Sequence, residues 1–272
     1  MDLECIINSI RVKKSFLCVG LDPDMDLIPS HLMEEKDPVF SFNKSIIDAT
    51  KDLCVAYKPN LAFYEKLGPE GFVSLKKTLD YIPDDHFVIA DAKRSDIFNS
   101  AKMYADTFYN YFNFDAVTVS PYMGKDAVSP FVRSNKWAVL LISTSNNSAS
   151  EIQNTITETG DPLYLDLVKK SMSWYNEKQI MFVVGATRIS EMNTIRKKAP
   201  NHFFLVPGIG FQGGDFDAVC YNGFNDACGL LINISRSILY AESGVNFSNA
   251  AHHIALDIQQ KMAQVLKDKK II

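Results

Sequence analysis

Lys58, Asp91, Lys93 and Asp96 are the residues whose types and spacing can do chemistry in this chain. Asp91 and Lys93 are two apart in FVIADAK, and side chains two apart on a strand face the same way. Lys58 is embedded in a similar run, VAYKPN. An alternating set of ammonium and carboxylate groups suits acid–base work, in which a fixed cation stabilises developing negative charge and then delivers a proton. A lone D-x-K spacing would read as a solvated strand end, with Ser95 or Asp96 capping the next helix. Here the charges directly continue the apolar run VIA. Burying ionisable groups is costly unless they pair, and that cost is met mainly at functional sites.

A second set is PGIGFQGG (207–214) with NISRS (233–237). Glycines 208, 210, 213 and 214 allow backbone N–H groups to approach an anion, and Arg236 can grip it bidentately. Either alone reads as a glycine-rich turn or a surface arginine. Together, after the seventh and eighth strands of an α/β barrel, they match the place where such barrels bind phosphate. Metals and nucleotide cofactors get little support. His31, His86, His202, His252 and His253 show no ligand spacing, and neither G-x-x-x-x-G-K-[ST] nor G-x-G-x-x-G occurs after a strand.

Eight short runs can position these groups: 16–22, 55–60, 87–93, 116–122, 137–144, 181–187, 203–210 and 229–236. Most are apolar nearly throughout, as in strands buried on both faces of a parallel sheet. Helix-like stretches lie between them at 40–53, 70–81, 99–113, 162–176, 189–198 and 247–266. In the third, Ala101, Ala105, Phe108 and Phe112 recur at helical spacing, a core stripe first and a subunit interface second. With no break in composition and no Pro/Gly-rich linker, the alternation predicts one α/β domain over 1–272, a single (β/α)8 TIM barrel. An N-terminal helix (1–13) and a C-terminal helix (247–267) complete it. The active site then lies at the carboxyl ends of the strands, where Asp22, Lys58, Asn60, Asp91, Lys93, Asn233, Ser235 and Arg236 fall. The polar stretch 145–161 reads as an irregular active-site loop after strand five.

Composition bounds the partners. The 272 residues carry 28 Lys+Arg against 32 Asp+Glu, a net charge of −4, which lacks the basic field of a nucleic-acid binder. The N-terminus places acidic residues before its apolar stretch and basic ones after it, the reverse of a secretory signal, and no run approaches the roughly 20 apolar residues that cross a bilayer. Five scattered cysteines read as free thiols, most of them buried, in a reducing, cytoplasmic compartment.

The motif set resembles the orotidine 5′-phosphate decarboxylase family, most closely its longer bacterial subgroup. The fingerprint D-x-K-x-x-D-I reads Asp91, Lys93, Asp96, Ile97 after the apolar FVIA. Lys58 in AYKPNLAFYE, Asp22 in VGLDPD, Thr144 to Asn146, Gln212 and Arg236 follow in family order, so the match runs from about Phe16 to Tyr240. D-x-K-x-x-D alone is shared with related phosphate-binding barrels, hexulose-phosphate synthase and ketogulonate-phosphate decarboxylase among them. Where the family usually continues D-I-G-N-T, this chain has Asp96-Ile97-Phe98-Asn99-Ser100.

The resemblance implies a cofactor-free and metal-free conversion of orotidine monophosphate to uridine monophosphate and CO₂ in de novo pyrimidine biosynthesis. It makes Lys93 the acid that protonates C6, sets Asp91 beside the substrate carboxylate, and completes the charged array with Lys58. Asp96 comes from the partner subunit of a homodimer with shared sites. Asp22 holds ribose hydroxyls, Ser145 and Gln212 meet the pyrimidine edge, and Gln212 and Arg236 take the phosphate. Asn60, Ile97, Ser100 and Gly213 complete the substrate-binding set. A metal-dependent sugar-phosphate lyase or synthase and a catalytically silent phosphate-ligand binder, for which Phe98 is the hint, stand as the alternatives.

Overall fold

The apolar runs become strands because both of their faces are covered. A computed structural model describes residues 1–210 and 213–272, so Gln212 lies outside the described residues. The strands are β1 (Leu17–Leu21), β2 (Ala56–Pro59), β3 (Phe87–Arg94), β4 (Ala116–Val119), β5 (Trp137–Ser143), β6 (Ile180–Val184), β7 (Phe204–Pro207) and β8 (Leu230–Ile234), in sequence order around a closed barrel. Every residue of β1, β2, β4, β6 and β8 is buried. The expected (β/α)8 class is what the chain adopts. Several strands stop earlier than their apolar runs suggest; β8 ends at Ile234, because Ser235 and Arg236 already belong to the next turn and helix.

Contacts divide the chain into two units, residues 4–92 with 233–272, and 1–3 with 93–232. In the first unit, β1 and β2 pair in parallel register, Cys18 opposite Ala56 and Leu21 opposite Pro59. The helix Pro38–Thr50 starts where it does because Asp37 accepts from Phe40 N at 3.1 Å and Pro38 occupies the first turn. Its buried face carries Phe42, stacked on Tyr240 and Phe247, and Asn43, which donates to the Tyr64 hydroxyl at 2.9 Å. Tyr64 in turn donates to Leu21 O at 3.1 Å. A helix is thereby tied to the strand end that precedes Asp22.

In the second unit, the stretch expected as one helix over 99–113 is an α-helix, Phe98–Asp106, continued by a π-turn, Thr107–Tyr111. Ala101, Ala105, Phe108 and Phe112 are all at most 4% exposed, so the stripe is core. The widened turn sets Tyr109 with its hydroxyl 2.8 Å from both Phe131 O and Trp137 O. The polar stretch 145–161 is not wholly irregular; it contains the helix Ala149–Gln153.

His202, 4% exposed and stacked on Phe182 at 5.0 Å, gives this unit a pH dependence. Burial pulls its pKa down to about 4. The unfolded imidazole takes up a proton below about pH 6.5 while the folded one resists until about 4, so stability is full above pH 6.5 and falls as the pH drops through that window. We expect a loss of about 2–3 kcal/mol by pH 4.5 from this group. Urea unfolding at pH 7 and pH 4.5 measures it, and His202→Phe should flatten the difference by that amount; an unchanged difference would refute the assignment.

Candidate active site

β2 and β3 run parallel with Ala56 opposite Phe87 and Tyr57 opposite Val88, and a bridge between Asn60 and Asp91 continues the same register. That register brings Lys58 to Asp91, Nζ to Oδ2 at 2.8 Å, although the two are 33 residues apart in sequence. Lys58 is 3% exposed. Burial opposes its charge, but the carboxylates of Asp91 and Asp22 outweigh that and hold the ammonium above its ordinary pKa. Lys58 is therefore a fixed cation across the physiological range. Asn60 falls just past β2, and its side chain accepts from Ala62 N at 3.2 Å to start the helix Leu61–Glu65.

Asp22 follows β1. Its Oδ2 accepts from the Ser235 hydroxyl at 2.6 Å, while Oδ1 is buried with no hydrogen-bond partner. The Tyr240 hydroxyl donates to Asp22 O at 2.9 Å and accepts from Asp24 N at 2.7 Å, fixing the turn on which Asp22 sits. Gly20 is needed for this approach: a Cβ there would lie 2.7 Å from Ser235 Cβ. Tyr240 escaped the sequence reading and Ser235 entered it only as a polar strand end, because their bonds to Asp22 and Asp24 span more than 200 residues. Arg236 is exposed and opens the short helix Arg236–Leu239.

In the second unit, Lys93 is exposed near the end of β3, with φ at +48°. That left-handed backbone costs a side-chain-bearing residue about 1–2 kcal/mol. Its N–H donates to the Thr118 hydroxyl on β4 at 2.9 Å. The two-residue alternation that would align Lys93 with Asp91 assumes extended backbone, so alternation alone does not set its direction. Asp96 Oδ1 accepts from Ile97 N at 2.7 Å, and the helix Phe98–Asp106 begins without a side-chain cap, so neither Ser95 nor Asp96 serves as one. Ile97 is 60% and Phe98 49% exposed, and Ser100 is half-buried. Phe98, in the position where the resemblance expects glycine, is not among the positive-φ residues.

Ser145 sits in a turn that is braced from several sides. Gln153 accepts from Thr144 N at 2.9 Å and donates to the Thr144 hydroxyl at 2.8 Å, while Arg188 donates to Thr144 O and Asn146 O at 3.1 and 2.8 Å. Ser145, Asn146, Asn147, Thr187 and Arg188 line an open cleft of about 540 Å³. Farther on, Gly213 N donates to Gly210 O at 2.8 Å and Gly214 N to Gly208 O at 3.0 Å. Those two N–H groups close the glycine-rich turn on itself.

Residues 15–251 match the model of the orotidine 5′-phosphate decarboxylase / HUMPS family. The chain belongs to that family. An orotidine 5′-phosphate decarboxylase of Parabacteroides distasonis is 50% identical over 276 residues, covering 100% of this chain and 99% of its own. One from Bacteroides fragilis is 49% identical over 271 residues, 98% of this chain and 99% of its own. Among solved structures, the OMP decarboxylase of Leishmania donovani superposes with a TM-score of 0.82 at 32% identity, covering 97% of this chain and 99% of that one.

Within this orotidine 5′-phosphate decarboxylase / HUMPS chain, the expected site residues fall into local groups. Lys58 and Asp91 form an ion pair, Asp22 is held by Ser235, and Lys93 is held by Thr118. Thr118 was absent from the sequence reading; its only signal there was a hydroxyl inside the apolar run AVTV. Among the described residues no three His, Cys, Asp or Glu side chains come together as a metal-ligand set.

Proposed function

We propose that this chain removes CO₂ from orotidine 5′-monophosphate to form uridine 5′-monophosphate, using its own side chains and no cofactor. The observation that carries the reading is the buried Lys58–Asp91 pair, two residues before the exposed Lys93 on one strand, in a chain half-identical to decarboxylases of that name. When the C6–carboxylate bond breaks, the electron pair stays in an sp² orbital at C6 that no ring π-system delocalises. A fixed cation must stabilise it and then donate a proton. Lys93 does both, and its exposure lets solvent restore the proton. Lys58 holds Asp91 in place, beside the carboxylate that leaves as neutral CO₂.

Binding falls to other strand ends. The unpartnered Oδ1 of Asp22 accepts from a ribose hydroxyl, helped by Asn60. Ser145 and Gln212 read the pyrimidine edge, and Gln212 and Arg236 hold the phosphate. This grip lies far from the bond that breaks, so its energy fixes the ring and excludes water. Ile97 and Ser100 add to the substrate contacts, and Asp96 serves the neighbouring subunit of a homodimer. Support for that is the exposure of the apolar side chains Ile97, Phe98, Met103 and Tyr104 in and just after the motif. The described cysteines are free, as suits a cytoplasmic protein, and among the described residues no helix is long and apolar enough to cross a membrane.

Purified protein should bleach the ultraviolet absorbance of orotidine monophosphate at a rate unaffected by EDTA. No bleaching, or a rate lost to EDTA and restored by Mg²⁺, would overturn the reading.

A further inference from the structure

We infer that Thr118 is a positioning residue for catalysis, one that fixes the backbone of Lys93 and thereby the direction from which its ammonium reaches the substrate. The inference rests on the decarboxylase reading of Lys93 and deepens it.

Lys93 stands at φ +48°, a conformation in which an L-residue leaves the extended geometry of its strand. A backbone N–H turned out of the ladder still needs an acceptor. The Thr118 hydroxyl on β4 accepts from it at 2.9 Å. One residue beyond Lys93, Ser120 N returns to Arg94 O at 2.9 Å, so main-chain pairing between the two segments resumes immediately. Thr118 thus braces the one residue of β3 whose backbone is left-handed.

Thr118 itself is 1% exposed within β4, AVTV, where its neighbours are alanine and valine and its partner across β5 is Val139. Packing alone would favour valine at such a position, since a buried hydroxyl must find hydrogen-bond partners. Strained backbone persists only where the surroundings over-determine it, and here the hydroxyl does so. Without it, the left-handed backbone of Lys93 loses this brace, and a relaxation toward ordinary strand geometry swings its side chain away from the direction that catalysis needs. Placement errors of about 1 Å are enough to cost on the order of 100-fold in rate.

Thr118→Val and Thr118→Ser test this. The valine variant keeps the shape and loses the acceptor; the serine variant keeps the acceptor. For Thr118→Val we expect kcat lower by about 10- to 100-fold, uridine monophosphate affinity by calorimetry unchanged within about threefold, and an equal loss in the exchange of the uridine monophosphate C6 proton in D₂O, followed by NMR. Thr118→Ser should recover both rates to within about threefold of the unaltered protein. Equal impairment of the serine and valine variants, or a valine variant as active as the unaltered protein, overturns the inference. Should valine prevent folding, Thr118→Ala against Thr118→Ser makes the same comparison. If the unaltered protein itself fails to decarboxylate orotidine monophosphate, the functional reading falls instead, so the two failures are distinguishable.

Discussion

Lys93→Ala is expected to lower kcat on orotidine monophosphate by at least about 10⁴-fold, because one side chain supplies both charge stabilisation, worth about 10²–10³, and the proton, worth about 10²–10⁴. The fold should be indifferent. Lys93 is exposed, and alanine at φ +48° carries the same backbone strain, so the thermal midpoint should move by no more than about 2 °C. Absorbance assays and a thermal melt check both halves; activity within tenfold of the unaltered protein would remove Lys93 from the role of acid. The same variant tests the shared site. Mixed with an Asp96→Ala protein and allowed to exchange subunits, it should restore roughly a quarter of the full activity, since half of the dimers then hold one intact site. No recovery after demonstrated exchange would count against a contribution from the partner subunit.

Arg196→Leu should destabilise the protein by about 3–5 kcal/mol and lower its thermal midpoint by roughly 10 °C. Arg196 is 8% exposed in the helix Ile189–Lys198, and no carboxylate pairs with it among the described ion pairs. Its guanidinium donates instead to five carbonyl oxygens, those of Gly223, Ala199, Pro200, His202 and Gly229, at 2.6 to 3.2 Å. It also lies 3.7 Å over the Phe204 ring. Burial pulls its pKa down to about 9, which leaves it charged at neutral pH. Removing the cation strips five acceptors, four of them buried, of their shared donor, and leucine replaces none of its bonds. Arg196→Lys keeps the charge but lacks the planar fork, so its loss should be intermediate. The neighbouring Lys197 is exposed, and Lys197→Ala should stay within about 0.5 kcal/mol, measured by urea unfolding. An Arg196→Leu protein as stable as that control would refute the account.

These two residues were unequally visible in the sequence. Lys93 stands out because its type, its spacing from Asp91 and Asp96 and the apolar run before it are all local facts. Arg196 reads as one of three basic residues in the last turn of a helix, beside Lys197 and Lys198, which is an ordinary complement to the helix dipole. Nothing local says that it alone turns inward. Its five acceptors come from the helix end, the loop that leads from it to β7 and segments about 30 residues away.

The same division holds for the rest of the molecule. Strand number and parallel order were legible, because burial on both faces leaves its pattern in the chain itself. Several strand ends were read too long, since apolarity continues past the last ladder bond, as in the run 203–210, where β7 stops at Pro207. The Lys58–Asp91 contact, the bond from Ser235 to Asp22 and the turned backbone of Lys93 resting on Thr118 were decided only in three dimensions. Each depends on strand register or on a local departure from it, and register is set by packing between elements far apart in sequence, which linear spacing does not encode.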